Sequence, residues 1–216
     1  MDKNLSQCYS AAETLGFLVQ FRMWSNKVRL YLAENYGNSF ASEIVKDSKK
    51  EFQEIIMSMP FIGGDQNPFS RELIFYTQWL AVYRTLKKYG KSMEEIADIL
   101  NNIHLLYVGD ISEEKAGEMV EKWFSETKAK FRMFSQEQST WKWKYIEGDR
   151  SEFDFGIDVF ECGLLNFFKV FNAEELVPVV CMADLIWNDV VDLGLKRTEM
   201  IGCGDKVCNF RWKKEG

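Results

Sequence analysis

The last third of this chain reads FDFGIDVFECGLLNFF at residues 153–168, ELVPVVCMADLIW at 175–187 and LGLKRTEMIGCGDKVCNFRW at 193–212. Partial alternation over 152–160 indicates a strand, and helical spacing predicts helices over 163–171 and 174–189. The last segment predicts a hairpin of residues 194–201 and 206–213 that turns at GCGD, because glycines supply the positive φ that such turns need. The three segments also hold four of the five cysteines.

The preceding residues show mostly helical periodicity. Apolar residues recur at three- and four-residue spacing over about 8–36, 40–58, 67–89, 92–108 and 112–136. Asn67 followed by Pro68 predicts an N-cap with proline at the first helical position. Ser92 with Glu95 predicts a capping box for the next helix.

The period then changes to that of a strand. Trp141, Trp143 and Tyr145 alternate with lysines, which predicts a strand with one aromatic face, paired across EGDRSE with the strand at 152–160. Such aromatic residues are expected in the core of the sheet. The predicted fold is α+β: a helical N-terminal layer packed on a small antiparallel sheet with two C-terminal helices and a final hairpin. We expect one compact domain over 1–216, with a helical subregion over 1–137 and an α+β subregion over 138–216.

Composition narrows the function classes. With 46% hydrophobic residues, a net charge of −6 and a pI near 5.1, the chain is expected to form a core and to bind neither nucleic acid nor membranes. The first 14 residues lack the order of a signal peptide, and the odd cysteine count suggests reduced thiols, so we expect a cytoplasmic protein. The expected partner is a small-molecule substrate. The sequence leaves open whether the helical half also builds a homodimer.

Histidine and cysteine spacing bear on metals and cofactors. The single histidine, His104, excludes a site with two histidine ligands, and on a half-apolar helix it indicates a packed residue more than a general base. Cys162, Cys181, Cys203 and Cys208 are separated by 18, 21 and 4 residues, which does not form paired C-x₂-C ligand motifs. We therefore expect no metal and no cofactor.

The order of residues in the last third resembles the L-2-amino-thiazoline-4-carboxylic acid hydrolase family. The resemblance rests on Glu-Cys, Pro-x-x-Cys-x-x-Asp, Arg-Thr and Gly-x-x-x-Cys-x-Phe, with MPFIGG and NPF earlier in the chain. It covers roughly residues 55–213 and is strongest after Phe153, while Cys203 departs from the family pattern. The tail is also similar to the 4-vinyl reductase type domain, a small-molecule-binding α+β module.

The first resemblance implies a hydrolase that opens a small cysteine-derived heterocycle, such as 2-aminothiazoline-4-carboxylate, at a C–N or C–S bond. Water would add to the carbon flanked by sulfur and two nitrogens, and the ring would open to a carbamoyl-cysteine. The site would need a carboxylate for the amidine-like nitrogens, a cation for the substrate carboxylate, and a base or nucleophile. The second resemblance implies the alternative of a binding or sensor module without turnover.

Cys162, Cys181 and Asp184 are the candidate catalytic residues. Cys181 and Asp184 lie three residues apart, so they share one face of a helix, and burial in an apolar helix raises the pKa of an aspartate unless it is paired. Asp184 is either an amidine partner or base, or a structural partner of Arg197. Cys162 is expected at a helix N-terminus, where the pKa of a thiol is lowered, and is the best nucleophile candidate unless it is only a small buried hydrophobe.

The candidate substrate-binding residues are Arg197, Glu161, Gly63, Gly64 and Cys208. Arg197 is suited to bind the substrate carboxylate. The alternative is that it pairs with Asp184, Asp189 or Asp192. Glu161 assists Cys162 or faces solvent, and Cys208 lines a pocket or belongs to the core beside Phe210 and Trp212. Gly63 and Gly64 offer backbone amides to an anion, or form only a tight connection.

Overall fold

The computed structural model describes residues 9–109 and 111–214, and it confirms the α+β class. The helices are α1 Ala11–Tyr36, α2 Asn38–Ile56, α3 Ser70–Lys88, α4 Met93–Val108, α5 Glu113–Met133, α6 Gly163–Lys169 and α7 Val177–Val191. The strands are β1 Lys142–Glu147, β2 Phe155–Glu161, β3 Leu195–Lys196 and β4 Cys208–Trp212. Cys8, at the start of the predicted first helix, lies outside the described residues. Within those residues, no helix is both long and apolar enough to cross a membrane.

The described residues divide into two compact units. The first lies within Met1–Phe61 and Arg71–Tyr107, and the second within Ile62–Ser70 and Val108–Gly216. The second unit therefore contains α5 as well as the sheet and the two last helices.

The first unit is helical, and local capping signals in the sequence set its helix ends. Ser92 accepts a hydrogen bond from Glu95 N, and the Glu95 carboxylate accepts one from Ser92 N, which confirms the predicted capping box. His104 is buried on α4, with its ring 5.5 Å from that of Trp79 and 6.0 Å from that of Phe75. This confirms the expectation of a packed histidine.

The second unit is built on a four-stranded antiparallel sheet of order β1-β2-β4-β3. Phe155 lies opposite Trp212, and Val159 lies opposite Cys208, so these four side chains share one face. Trp123 on α5 covers that face, with its ring 6.0 Å from Phe155 and 5.3 Å from Trp212. The predicted aromatic core of the sheet is therefore present, and Trp143 on β1 belongs to it.

The predicted start of the third helix is wrong. Helix α3 begins at Ser70, and the Asn67 side chain instead accepts a hydrogen bond from Phe69 N within a turn. The Asn67 amide also donates to Ile62 O at 2.6 Å and to Ser139 Oγ at 3.2 Å. Asn67 therefore organises a buried loop, because its partners lie outside the helix.

Two strand boundaries also differ from the prediction. Trp141, which is predicted as part of the aromatic strand, instead precedes β1 and stacks on Phe69 at 5.0 Å between ring centroids. The final hairpin is present, but β3 has two residues instead of the predicted eight. The Asn209 side chain accepts hydrogen bonds from Thr198 N and Glu199 N, and so occupies backbone groups that a longer β3 would have paired with β4.

Candidate active site

Cys162 connects β2 to α6. It is the N-cap of α6, and its Sγ accepts a hydrogen bond from Leu165 N at 3.4 Å. The next residue, Gly163, packs so tightly that a Cβ there would collide with the Trp141 indole and the Thr140 hydroxyl. The start of α6, and with it the Cys162 thiol, is thereby fixed against the segment before β1.

Helix α7 carries Cys181 and Asp184 on one face, as predicted from their spacing. Cys181 keeps part of its surface accessible, and the Asp184 side chain is 33% exposed. Neither residue is sealed inside apolar packing.

Arg197, which follows β3, binds α7 through two of its nitrogens. Its Nη1 donates to Asp184 Oδ2 at 2.8 Å, and its Nη2 donates to the carbonyl oxygen of Cys181. The guanidinium carbon lies 4.8 Å from the Phe210 ring centroid, a cation–π arrangement. The Arg197 side chain is 1% exposed, and its buried Nε has no hydrogen-bond acceptor among the described residues.

Cys208 lies at the start of β4, on the sheet face that is covered by helices. Its buried Sγ accepts a hydrogen bond from Ile201 N at 3.2 Å. Ile201 belongs to the loop between β3 and β4, so this bond holds the loop against the end of the sheet. Gly202, the next residue, lies against Cys181.

Burial sets the protonation of all three thiols. It raises the pKa of Cys162 to about 11, against the opposing effect of the Leu165 hydrogen bond. Burial also raises the pKa of Cys181 and of Cys208. In both cases the positive charge of Arg197 acts in the opposite direction and lowers the pKa. The expected lowering of the Cys162 pKa is therefore wrong, because loss of hydration outweighs the amide of a short helix.

The loop between β3 and β4 links two of the thiols, because Ile201 N binds Cys208 Sγ and the next residue, Gly202, lies against Cys181. The Asp184 charge contributes to the raised pKa of Cys162, Cys181 and Cys208, so all three thiols lie within electrostatic range of one carboxylate. Cys162 and Cys208 also influence the pKa of Cys181. Residues that are distant in sequence therefore form one cluster, which we call the thiol cluster: Cys162, Cys181, Cys208, Asp184 and Arg197. Among the described residues, no group of three or more His, Cys, Asp or Glu side chains could hold a metal ion.

Three other candidate residues make different contacts. Glu161 is exposed at the end of β2, in register with Lys142. A Cβ at Gly63 would meet the Phe134 ring, and Gly63 has a φ of 103° that favours glycine. The Gly64 carbonyl accepts a hydrogen bond from the Ser70 hydroxyl. The two glycines thus form a tight connection, and an anion-binding role for their amides stays a prediction.

Several residues of the site were not found from the sequence. Phe210 supports the Arg197 guanidinium, and Ile201 N binds the Cys208 thiol. Thr140 Oγ1 is buried beside Gly163 without a hydrogen-bond partner among the described residues. Gly202 belongs to the GCGD segment that predicts a turn, and its contact with Cys181 has no local signal in the sequence.

A sequence model of L-2-amino-thiazoline-4-carboxylic acid hydrolase matches residues 71–212. The chain belongs to this family. The matched region contains every residue of the thiol cluster, whereas α1, α2, Gly63 and Gly64 lie outside it. No curated protein and no solved structure matches the chain. The family assignment therefore supports a hydrolase in general terms. It does not identify the specific reaction.

Proposed function

We propose that this protein hydrolyses a small cysteine-derived heterocycle, similar to 2-aminothiazoline-4-carboxylate, at a C–N or C–S bond. The observation that carries the proposal is the convergence of the three thiols, Asp184 and Arg197 within the region that matches the family. Cys162 and Cys181 keep some accessible surface although burial raises the pKa of both. That combination is typical of side chains lining a recess, where a small ring can bind.

Asp184 is the proposed general base. Its carboxylate is held by Arg197 at 2.8 Å and stays partly exposed, so it can contact both the ligand and a water molecule. A carboxylate can accept a proton from water as the water attacks the carbon between sulfur and the two nitrogens. It can also pair with the amidine-like nitrogens of the ring. In this mechanism the attacking oxygen comes from water. The ring sulfur leaves as a thiol when the C–S bond breaks, and the ring nitrogen leaves as an amine when the C–N bond breaks.

Cys162 and Cys181 are proposed to line the ring. A thiol whose pKa is about 11 is almost entirely protonated at neutral pH, and the thiolate is the nucleophilic form. The structure thus favours water over Cys162 as the attacking group. The role of Cys162 as the nucleophile remains the alternative prediction, and it would require Asp184 to remove the thiol proton first.

Arg197 is proposed to receive the substrate carboxylate. Nη1 and Nη2 each donate one N–H to α7, so the two terminal nitrogens are already engaged. Nε carries a single N–H, which is buried and has no acceptor in the described part of the chain. A buried donor without an acceptor costs about 1–3 kcal/mol, and a ligand oxygen in hydrogen-bond reach of Nε would remove that cost.

A binding or sensor module without turnover is the second candidate. The observation that favours it is the protonated state of the thiols, because burial raises the pKa of all three. Such a module would hold the same ligand through Asp184 and Arg197 without opening the ring.

Turnover separates the two candidates. The purified protein would be incubated with 2-aminothiazoline-4-carboxylate, and release of a thiol product would be followed with a thiol-specific chromophore and by mass spectrometry. Hydrolysis at the C–S bond predicts catalytic release of a thiol, and hydrolysis at the C–N bond predicts a product that is heavier by one water and carries no free thiol. Ligand binding by calorimetry without either product would support the binding module. The absence of both turnover and binding would overturn the proposed substrate class.

Two variants test the nucleophile. In Cys162→Ala, water attack predicts residual turnover, because only a contact with the ring is lost. A nucleophilic Cys162 predicts turnover at the background rate. Cys203→Ala is the matched control, because Cys203 is exposed and lies outside the thiol cluster.

A further inference from the structure

A glycine of the β3–β4 loop lies directly on one thiol of the cluster. A Cβ at Gly202 would lie 2.8 Å from Cys181 Sγ and 2.7 Å from Val177 Cγ1, which is closer than real Cβ atoms approach. Gly202 is absent from the glycines with positive φ, so its backbone does not require glycine. The requirement comes from the close approach of the loop to α7.

The loop around Gly202 is closed by its own hydrogen bonds. Met200 N donates to Asp205 Oδ2 at 2.8 Å, and Cys203 N donates to Met200 O at 2.9 Å. Gly204 completes the turn with a φ of 103°, a conformation that favours glycine. Met200–Asp205 is therefore a compact segment that can move as one body, and we call it the covering loop.

The covering loop is attached to the sheet on both sides. Asn209 on β4 accepts hydrogen bonds from Thr198 N at 2.9 Å and Glu199 N at 2.8 Å, just before the loop. Within the loop, Ile201 N donates to Cys208 Sγ at 3.2 Å. These bonds hold Gly202 over Cys181.

We propose that Gly202 is a specificity-determining residue, because its missing side chain lets the covering loop close on Cys181 and limit the site to compact ligands. The inference rests on the proposed function and deepens it, since it concerns the size of ligand that the same site admits. Under this proposal a single five-membered ring binds with the loop in this position, whereas a larger group at Cys181 requires the loop to lift.

The neighbours of Gly202 determine whether an added side chain would displace the loop or helix α7. Val177 is fully buried on α7 and β-branched, so it cannot give way easily. Cys203, Gly204 and Asp205 are exposed, so the loop is the part that can yield. In Gly202→Ala the loop is therefore displaced from α7, and Cys181 becomes accessible to larger groups.

The test measures alkylation of Cys181 by iodoacetamide and by a bulky fluorescein maleimide, with each labelled cysteine quantified by peptide mass spectrometry. In Gly202→Ala the ratio of bulky to small labelling at Cys181 is expected to rise on the order of tenfold, because the loop opens more often. Gly202→Ala combined with Val177→Ala should bring this ratio part of the way back to the wild-type value, because the contact with Val177 Cγ1 is removed while the contact with Cys181 Sγ remains. Gly117→Ala is the matched control, because a Cβ at Gly117 meets nothing within 4 Å.

Asp205→Ala is a second variant, for the case in which Gly202→Ala does not fold. It removes the acceptor of Met200 N without adding any atom near Cys181, and the same increase in bulky labelling is expected. An unchanged or lower ratio in the folded variants would overturn the proposal. Labelling does not depend on hydrolysis, so failure of this proposal is distinguishable from failure of the proposed function.

Discussion

Arg197 Nη1 donates a 2.8 Å hydrogen bond to Asp184 Oδ2, across 13 residues of sequence. The pair joins the segment after β3 to helix α7, and the Cys181 carbonyl accepts a second hydrogen bond from the same guanidinium. The position of Asp184 within the thiol cluster therefore depends on a cation that is itself buried. We therefore expect changes in the pair to affect both stability and activity.

Replacement of Arg197 by methionine should destabilise the protein. Asp184 and the Cys181 carbonyl would lose a shared donor, and because Asp184 is one-third exposed we expect a loss of about 2 kcal/mol, below the range for fully buried pairs. The measurement is urea unfolding followed by circular dichroism.

Arg211→Met is the control for that prediction. Arg211 binds Asp158 at the same 2.8 Å, but both side chains of this pair are about one-quarter exposed. We expect a loss of less than about 1 kcal/mol for Arg211→Met. Equal losses in the two variants would show that burial of Arg197 adds nothing to its pair.

The alkylation rate of Cys162 should depend on pH in a way that differs from that of free cysteine. With a pKa of about 11, only about one thiol in a thousand is ionised at pH 8, whereas free cysteine has a pKa near 8.5. The rate at Cys162 should therefore keep rising from pH 8 to about 11. A plateau near pH 9 would contradict the burial that raises the pKa.

The same shift predicts how stability changes with pH. The folded-state pKa of Cys162 lies above its unfolded value, so folded protein holds more protons than unfolded protein between those two values. The stabilisation is complete below about pH 8.5 and is lost as the pH rises towards 11. The free energy of unfolding, measured across this window, should fall more steeply in the wild type than in Cys162→Ala.

Gly163→Ala should destabilise the start of α6. The added methyl group would collide with the buried Trp141 indole and the Thr140 hydroxyl, so we expect a loss of about 2 kcal/mol or more. Gly117→Ala is the matched control, because exposed Gly117 lies on α5 with open space around its Cβ position. There we expect a gain of about 0.5–1 kcal/mol from the higher helix propensity of alanine. Thermal unfolding of both variants checks this pair of predictions.

Local signals in the sequence predicted the elements of the fold. The capping box at Ser92, the alternation of Trp143 and Tyr145, and the spacing of Cys181 and Asp184 each depend on neighbouring residues, and the structure confirms all three. Periodicity is a property of a short segment, so one sequence is enough to detect it.

The errors arose where distant residues decide local structure. The pattern at Asn67 predicts a helix cap, but the side-chain amide of Asn67 donates a hydrogen bond to Ser139, which lies 72 residues later. Cys162 lies at the predicted helix start, yet burial by the surrounding chain raises its pKa instead of lowering it. No local pattern indicates that Gly202 contacts Cys181 on α7.

Local patterns in the sequence indicated the residues of the thiol cluster, but they did not indicate which carboxylate pairs with Arg197. The choice between Asp184, Asp189 and Asp192 as the partner of Arg197 depends on how α7 lies against the β3–β4 loop, which no local pattern specifies. The structure selects Asp184. It also adds the Phe210 ring and the Ile201 amide, whose roles follow from three-dimensional contacts alone.

The central claim is that Asp184 is the base of a hydrolytic site, and Asp158 provides the matched comparison. Each carboxylate binds an arginine at 2.8 Å, but Asp158 lies on the face of β2 opposite to Val159 and Cys208. The decisive measurement is kcat/KM for 2-aminothiazoline-4-carboxylate in Asp184→Asn and Asp158→Asn. We predict at least about a hundredfold loss in Asp184→Asn and a change of no more than a few-fold in Asp158→Asn. Equal activity in the two variants would contradict the assignment of Asp184 as the base.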